Sequence, residues 1–308
     1  MNGDIQVIFG FDMETDVGSF TPYYDGVKNA TPPLIDLFVK KGIKGTFYYT
    51  GDAARRNPES VELVKLSGNE VGCHSLFHET VGDELFPIPG VVPLLPEEIP
   101  LRIEKATDWV RQVAGEQPGS FRAPRLWGST ALLNSLERLN YVSDASYPLY
   151  FYREQLVPYN PSRDNWTKQG DMNIVEIPNF ADMVMKSNDP GLERDRDQWP
   201  LFRTQGTDAL MDRIDGFVQL LQSKNLPVVL CFYFHPWEFI PIRESYHYGE
   251  ATVTPDRFLT LGCGDKAMKE FSLLIDRLKD IGATFHRADE FASSWNRLNT
   301  NKNEERSL

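Results

Sequence analysis

Glu70-Val71-Gly72-Cys73-His74-Ser75-Leu76-Phe77-His78 is the stretch from which the fold is read. A short apolar run stops at a histidine, and a second histidine follows four residues later. There are only five histidines in the 308 residues. A run of this length between turn residues is the pattern of a buried strand. Two imidazoles four apart, on a helical turn or on a tight loop leaving that strand, can face one divalent ion. Two capping or surface histidines sharing a turn would give the same spacing, so the pair alone does not decide.

Outward from this stretch, the same pattern recurs. Candidate strands are Ile5–Phe11, Gly45–Tyr49, Glu70–Cys73, Ser120–Arg122, Tyr141–Asp144, Ile174–Ile177, Val228–Phe234 and Ala283–Phe285. Helical patterns cover Pro32–Lys41, Pro58–Leu66, Pro96–Val113, Thr130–Leu139, Thr207–Ser223, Lys266–Ile281 and Asp289–Arg297. Gly42, Gly68, Pro118, Pro227 and Gly282 stand where elements should start or stop. Strand then helix, repeated, predicts a parallel sheet covered by helices. Seven to eight such units predict an α/β fold, a distorted (β/α) TIM-like barrel. Residues 1–298 read as one catalytic domain and 299–308 as a polar tail. Four stretches are too long for tight turns: Thr80–Leu95, Pro148–Asp171, Ser187–Gln205 and Ile240–Gly264. They are rich in aromatic residues and read as lids or binding walls, or as contacts of a homo-oligomer.

Composition narrows the function classes. Hydrophobic residues make up 41% of the chain, and the formal net charge is −12 with both signs interspersed. Such a surface repels phosphate backbones, so nucleic acid is not an expected partner. The longest apolar run, Val228 to Phe234, is too short to span a bilayer. Residues 1–4 lead straight into a strand with no basic n-region or long apolar segment, so the expectation is a cytoplasmic protein without a membrane. Cys73, Cys231 and Cys263 are odd in number and read as reduced thiols.

The polar residues with chemical potential lie where candidate strands end: Asp12, His74, Arg122, Asp144 and His235. In a barrel of parallel strands all five converge on one rim, where barrel active sites form. Simpler roles compete. Asp12 could cap a loop, Asp144 sits in ordinary turn sequence, and aromatics such as Trp127 and Trp237 are more often core than ligand contacts.

Five segments occur in an order that resembles the polysaccharide deacetylase family, also called carbohydrate esterase 4 or the nodulation-type deacetylase domain. They are Phe11-Asp12-Met13-Glu14, His74 to His78, Phe121-Arg122-Ala123-Pro124-Arg125, Ser143-Asp144-Ala145-Ser146 and Phe234-His235-Pro236-Trp237. The long aromatic insertions look more like the cytoplasmic branch, with its peptidoglycan deacetylases and ureide hydrolases. The resemblance implies that His74 and His78 ligate a divalent metal, usually zinc. The family's third ligand is an aspartate; here Glu14 stands in its place, with Asp16 as a substitute. A related branch with glutamate at this place works without metal. The resemblance further implies Asp12 as general base, Arg122 as the residue holding it ionised, His235 as general acid and Asp144 as the partner of His235. Pro124, Trp127 and Trp237 read as substrate contacts, joined by Trp199 and Phe77 as stacking candidates.

The expected function is metal-assisted N-deacetylation of an amino sugar or soluble oligosaccharide. The alternative is hydrolysis of a cyclic amide or ureide, without metal if Glu14 fills the metal position. A barrel that binds sugars without turning them over is the rival from another class.

Overall fold

The computed structural model describes residues 5–306. Strand β1 is Ile5–Met13, β2 Thr46–Tyr49, β3 Glu70–Cys73, β4 Ser120–Phe121, β5 Ser143–Asp144, β6 Val175–Glu176 and β7 Val228–Phe234. These seven are parallel and curl in the order β7-β1-β2-β3-β4-β5-β6. One parallel bridge, Asn179 to Cys231, joins the segment after β6 back to β7, so the barrel is closed there by a thin seam. The hairpin Tyr246–Tyr248 (β8) and Ala251–Val253 (β9) stands apart as a two-stranded sheet. A short strand, Thr284–His286 (β10), lies beside the N-terminal half of β1. The expected distorted (β/α) barrel is the fold observed.

The strand interior follows a period of two, because successive side chains leave opposite faces of a strand. Val7, Phe9, Phe11 and Met13 join the apolar layer under the helices. Ile8 joins a second cluster with Tyr48, Ala145, Val175, Val229 and Cys231. That smaller cluster fills the barrel. Asp12, and Glu14 one step past the strand end, are in phase with Ile8. His235 is in phase with Val229 and Cys231. The same parity therefore fills the barrel with apolar groups below and aims polar ones inward at the top.

Several expected boundaries move for local reasons. The first helix runs over Asp25–Lys41 and contains Pro32 and Pro33. Both prolines are exposed, as are Lys28 and Asn29, whose carbonyls lose a helical N–H donor and open to water. Thr31 donates its hydroxyl to the Val27 carbonyl at 2.6 Å. The last helix spans Ala288–Arg306, so most of the expected tail continues the helix; residues 307–308 lie outside the described residues. Cys73 and Cys231 are buried in β3 and β7, Cys263 is half-buried, and all three are free thiols. Among the described residues, no helix is long and apolar enough to cross a membrane.

Candidate active site

The loop after β3 is tight rather than helical. Ser75 and His78 both take positive φ, 67° and 64°. Such angles cost energy for these residues and hold only where surroundings impose them. Glu79 imposes them from one side: its carboxylate accepts the Phe77 N–H at 2.6 Å and the Leu76 N–H at 3.3 Å. From the other side, the helix Gly51–Arg56 donates its first N–H groups, Gly51 to Ser75 O and Asp52 to Leu76 O, both at 3.0 Å. The result turns His74 and His78 toward Glu14.

Glu14 Oε2 lies 2.5 Å from His78 Nε2 and 3.6 Å from His74 Nε2. His74 donates Nδ1–H to the Arg122 carbonyl at 2.7 Å, which leaves the Nε2 lone pair pointing at the carboxylate. His74 Nε2 and both Glu14 carboxylate oxygens are buried without a hydrogen-bond partner. One ligand atom each from Glu14, His74 and His78 lies within 4.8 Å of the others. Two imidazoles and a carboxylate with unspent lone pairs fit a divalent ion. Burial pushes the Glu14 carboxyl up, but His78 and His74 outweigh it and hold it well below its ordinary range. Burial depresses His78, against the pull of Glu14, and so favours the neutral form a ligand requires. Asp16, the alternative ligand, is engaged elsewhere. Its two oxygens accept the Asp25 and Gly26 N–H groups at 2.9 Å each, capping the first long helix. Burial raises its carboxyl to about 7.

Arg122 follows β4 and is fully buried. It donates Nη1 to Asp12 Oδ1 at 3.0 Å, Nε to Ala145 O at 3.1 Å and Nη2 to Phe232 O at 3.3 Å. Its carbon lies 4.5 Å over the Tyr48 ring. Burial opposes the charge, but Asp12 outweighs it and keeps the guanidinium firmly protonated. Gly10 makes room: a Cβ there would come within 2.2 Å of Arg122 Nη1.

His235 follows β7. The last registered pair, Phe11 with Phe234, precedes Asp12 and His235 by one residue on each strand, so the two stand side by side. The expected partner Asp144 does not reach His235. Glu238 does, its Oε1 accepting from His235 Nδ1 at 3.0 Å. Glu238 Oε2 is in turn held by Arg203 Nε at 2.5 Å. Strand parity explains the correction. Asp144 is registered with Phe121 and Glu176, one step out of phase with Arg122 and Ala145. Its Oδ1 accepts from the Ser146 hydroxyl at 2.7 Å. Burial pushes Asp144 up to about 6, and burial with the like charge of Asp144 pushes Glu176 higher, so this pair keeps a proton. Burial lowers His235, yet Glu238, Glu14 and Asp12 raise it above the ordinary histidine range. Burial likewise pushes Glu238 up, but Arg203 and His235 bring it below the usual value. Trp237 stacks on the imidazole with centroids 5.1 Å apart. Glu238 was legible in the sequence only as the third residue after His235, where a helix-capping acid belongs.

Asp12, Glu14, His78, His235 and Trp237 line one cavity of about 330 Å³. Each of the four long stretches contributes an aromatic wall residue: Phe86, Tyr150, Trp199 and Phe258. Pro124 and Trp127, expected as substrate contacts, do not reach it. Trp127 is buried and packs edge-on against Phe86 at 5.3 Å, supporting the wall from behind. Phe77 is exposed and packs on Trp109 instead. His247 sits in the β8–β9 hairpin bonded to Thr252 at 2.9 Å. Arg125, Arg194, Asp197 and Tyr233 also line the cavity; Arg125 stood in the motif around Arg122 without a role of its own, and the other three were not singled out in the sequence.

Residues 19–143 match the polysaccharide deacetylase family. Chitin deacetylase 1 of Cryptococcus neoformans var. grubii is 29% identical over 102 residues, 33% of this chain and 20% of that protein. The peptidoglycan-N-acetylmuramic acid deacetylase PdaA of Bacillus subtilis is 24% identical over 124 residues, 40% of this chain and 43% of that protein. The chain thus spans less than half the length of these curated relatives. A Mycobacterium smegmatis structure assigned to the polysaccharide deacetylases superposes with a TM-score of 0.63 at 15% identity, over 96% of this chain and 91% of that one, which shows a shared fold. The family match runs across His74, His78 and Arg122 and ends before His235, so the likeness to polysaccharide deacetylases in sequence covers that part of the chain.

Proposed function

We propose that this chain hydrolyses a non-peptide C–N amide bond, with N-deacetylation of an amino sugar or a short soluble oligosaccharide as its reaction. One observation carries the reading: Asp12 braced by Arg122, and His235 braced by Glu238, stand side by side on the wall of one small cavity. A binding barrel has no use for a base and an acid prepared in this way. The names of the curated relatives support the substrate class.

Asp12 takes the proton from the attacking water, and Arg122 fixes the orientation of its carboxylate. The tetrahedral intermediate loses its nitrogen only after that atom is protonated. His235 supplies the proton from Nε2, because Nδ1 is committed to Glu238. Glu14, His74 and His78 would hold a divalent ion, zinc in our reading, which would polarise the amide carbonyl and acidify water. The aromatic walls exclude bulk water and hold a flat ring face.

A second reading, hydrolysis of a cyclic amide or ureide without metal, is favoured by one distance. Two ligands of one tetrahedral ion with bonds of about 2.0–2.1 Å stand about 3.3 Å apart. Glu14 Oε2 and His78 Nε2 stand at 2.5 Å, closer than two ligands of one ion would. Elemental analysis of protein purified without added metal, run with acetate release from N-acetylglucosamine oligomers and ring opening of hydantoins, separates the two. Bound zinc and acetate release support the first reading; metal-free ring opening supports the second. Asp12→Asn should abolish turnover in either case, and a fully active variant would refute both.

A further inference from the structure

The cavity contains two arginines that neither the acid–base pair nor the metal ligands use. Arg125 follows β4 three residues after Arg122, with φ at 63°, an angle non-glycine residues adopt at a cost. It is half-buried, and its side-chain bonds run from Nη1 to Thr80 Oγ1 at 3.1 Å and to His78 O at 3.4 Å. Arg194 sits on the short turn Arg194–Arg196 at the rim, with its guanidinium carbon 5.2 Å over the Phe86 ring. Among the described residues, neither arginine has a carboxylate within 4.0 Å. The cavity also holds three acids: Asp12 is paired with Arg122, Asp197 accepts from the Tyr233 hydroxyl at 2.5 Å, and Glu14 faces His78 and His74. Glu14 acts on Arg125, and Arg194 on Asp197, through space rather than by contact.

We infer that the cavity selects a substrate amide that also carries a carboxylate, with Arg125 as the inner contact and Arg194 as the rim contact. A guanidinium with no carboxylate in contact, in a partly dry cavity, can turn its remaining N–H groups to one as a fork. The aromatic walls hold the ring, and the arginines set where the acidic substituent lies. This inference rests on the amide-hydrolase reading for the word amide, but the anion contact is measurable without turnover.

Two matched probe pairs test it: N-acetylglucosamine against N-acetylmuramic acid, and hydantoin against hydantoin-5-acetate. Each pair differs by a carboxylate arm. Binding is read by quenching of tryptophan fluorescence, since Trp199 and Trp237 line the cavity. The wild-type protein should bind the acidic member of one pair at least about tenfold more tightly, as charge-assisted bonds imply. Arg194→Gln and Arg125→Gln should each erode that ratio while leaving the neutral member unchanged. Arg194 is exposed on a loop, so its variant keeps the test open if the Arg125 variant misfolds. Equal binding of acidic and neutral members overturns the inference. So does an equal loss for both members in the variants, or no saturable binding of either acidic probe at millimolar concentration. Asp12→Asn should keep the preference. A preference without hydrolysis would retain the anion site and sink the hydrolase reading; hydrolysis without a preference would do the reverse.

Discussion

Glu238→Gln isolates the electrostatic work done on His235. The substitution removes the negative charge 3.0 Å from the ring and leaves one oxygen, which can accept from His235 Nδ1 or from Arg203 but not from both. Both side chains are largely buried, at 13% and 0% exposure, so solvent screens the pair weakly. A charge-assisted hydrogen bond of this kind contributes about 1.5–3 kcal/mol. At about 1.4 kcal/mol per factor of ten, the imidazolium becomes about ten- to a hundredfold scarcer where the wild type still holds it. The sign follows from the direction of the shift. His235 is raised in the folded protein, so its charge persists above the ordinary histidine range and is lost as pH rises through the folded value. The alkaline limb of kcat/KM should therefore move to lower pH in the variant. On that limb the rate should fall about 10–100-fold, with little change on the acid side. The assay is a pH–rate profile on an amide and on an activated ester, with an NMR titration of the His235 ring. The ester should be spared because its leaving group needs no proton. An unchanged alkaline limb, or equal losses on amide and ester, refutes the assignment of Glu238 and of His235 as acid. Asp144→Asn, by contrast, should leave that limb in place, because Asp144 bonds Ser146 instead.

Glu14→Gln should weaken retention of a divalent ion in equilibrium dialysis, while Asp16→Asn should leave it unchanged and lower helix stability by about 0.5–2 kcal/mol, read by thermal melts. The reverse ranking would move the ligand role to Asp16. Gly10→Ala should cost both stability and turnover, because its methyl would meet Arg122 at 2.2 Å; a variant with unchanged melting temperature and rate would show that the guanidinium has room to shift. A cavity of about 330 Å³ should favour monosaccharide or ring-sized amides over polymers, and efficient acetate release from insoluble chitin would contradict that limit.

The strand ends and their polar residues were legible because strand geometry is local. Apolar runs such as Val228–Phe234 and Glu70–Cys73 announce themselves, and the structure has both with those bounds. Parallel strands place their C-terminal ends on one rim, so His74, Arg122 and His235 could be set together before any contact was known. A period of two then fixes which side chains face inward, and Asp12, Glu14 and His235 obey it.

The partner of each residue is another matter, because it depends on register and on chain brought in from far away. Asp144 reads as His235's partner by motif order, yet its register with Phe121 and Glu176 aims it to the other side of the sheet. Glu238 takes its place through a short turn, and only the fold brings Arg203, 35 residues earlier, onto the other oxygen. Trp127 and Phe86 exchange the roles an aromatic count would give them, since which ring faces a cavity is decided by packing. Arg194 was silent in the sequence, and Arg125 had a place in a motif but no role there, for the same reason. A lone arginine in a loop is usually a solvated surface charge, and only tertiary placement on one cavity wall, with no carboxylate in contact, gives it a task.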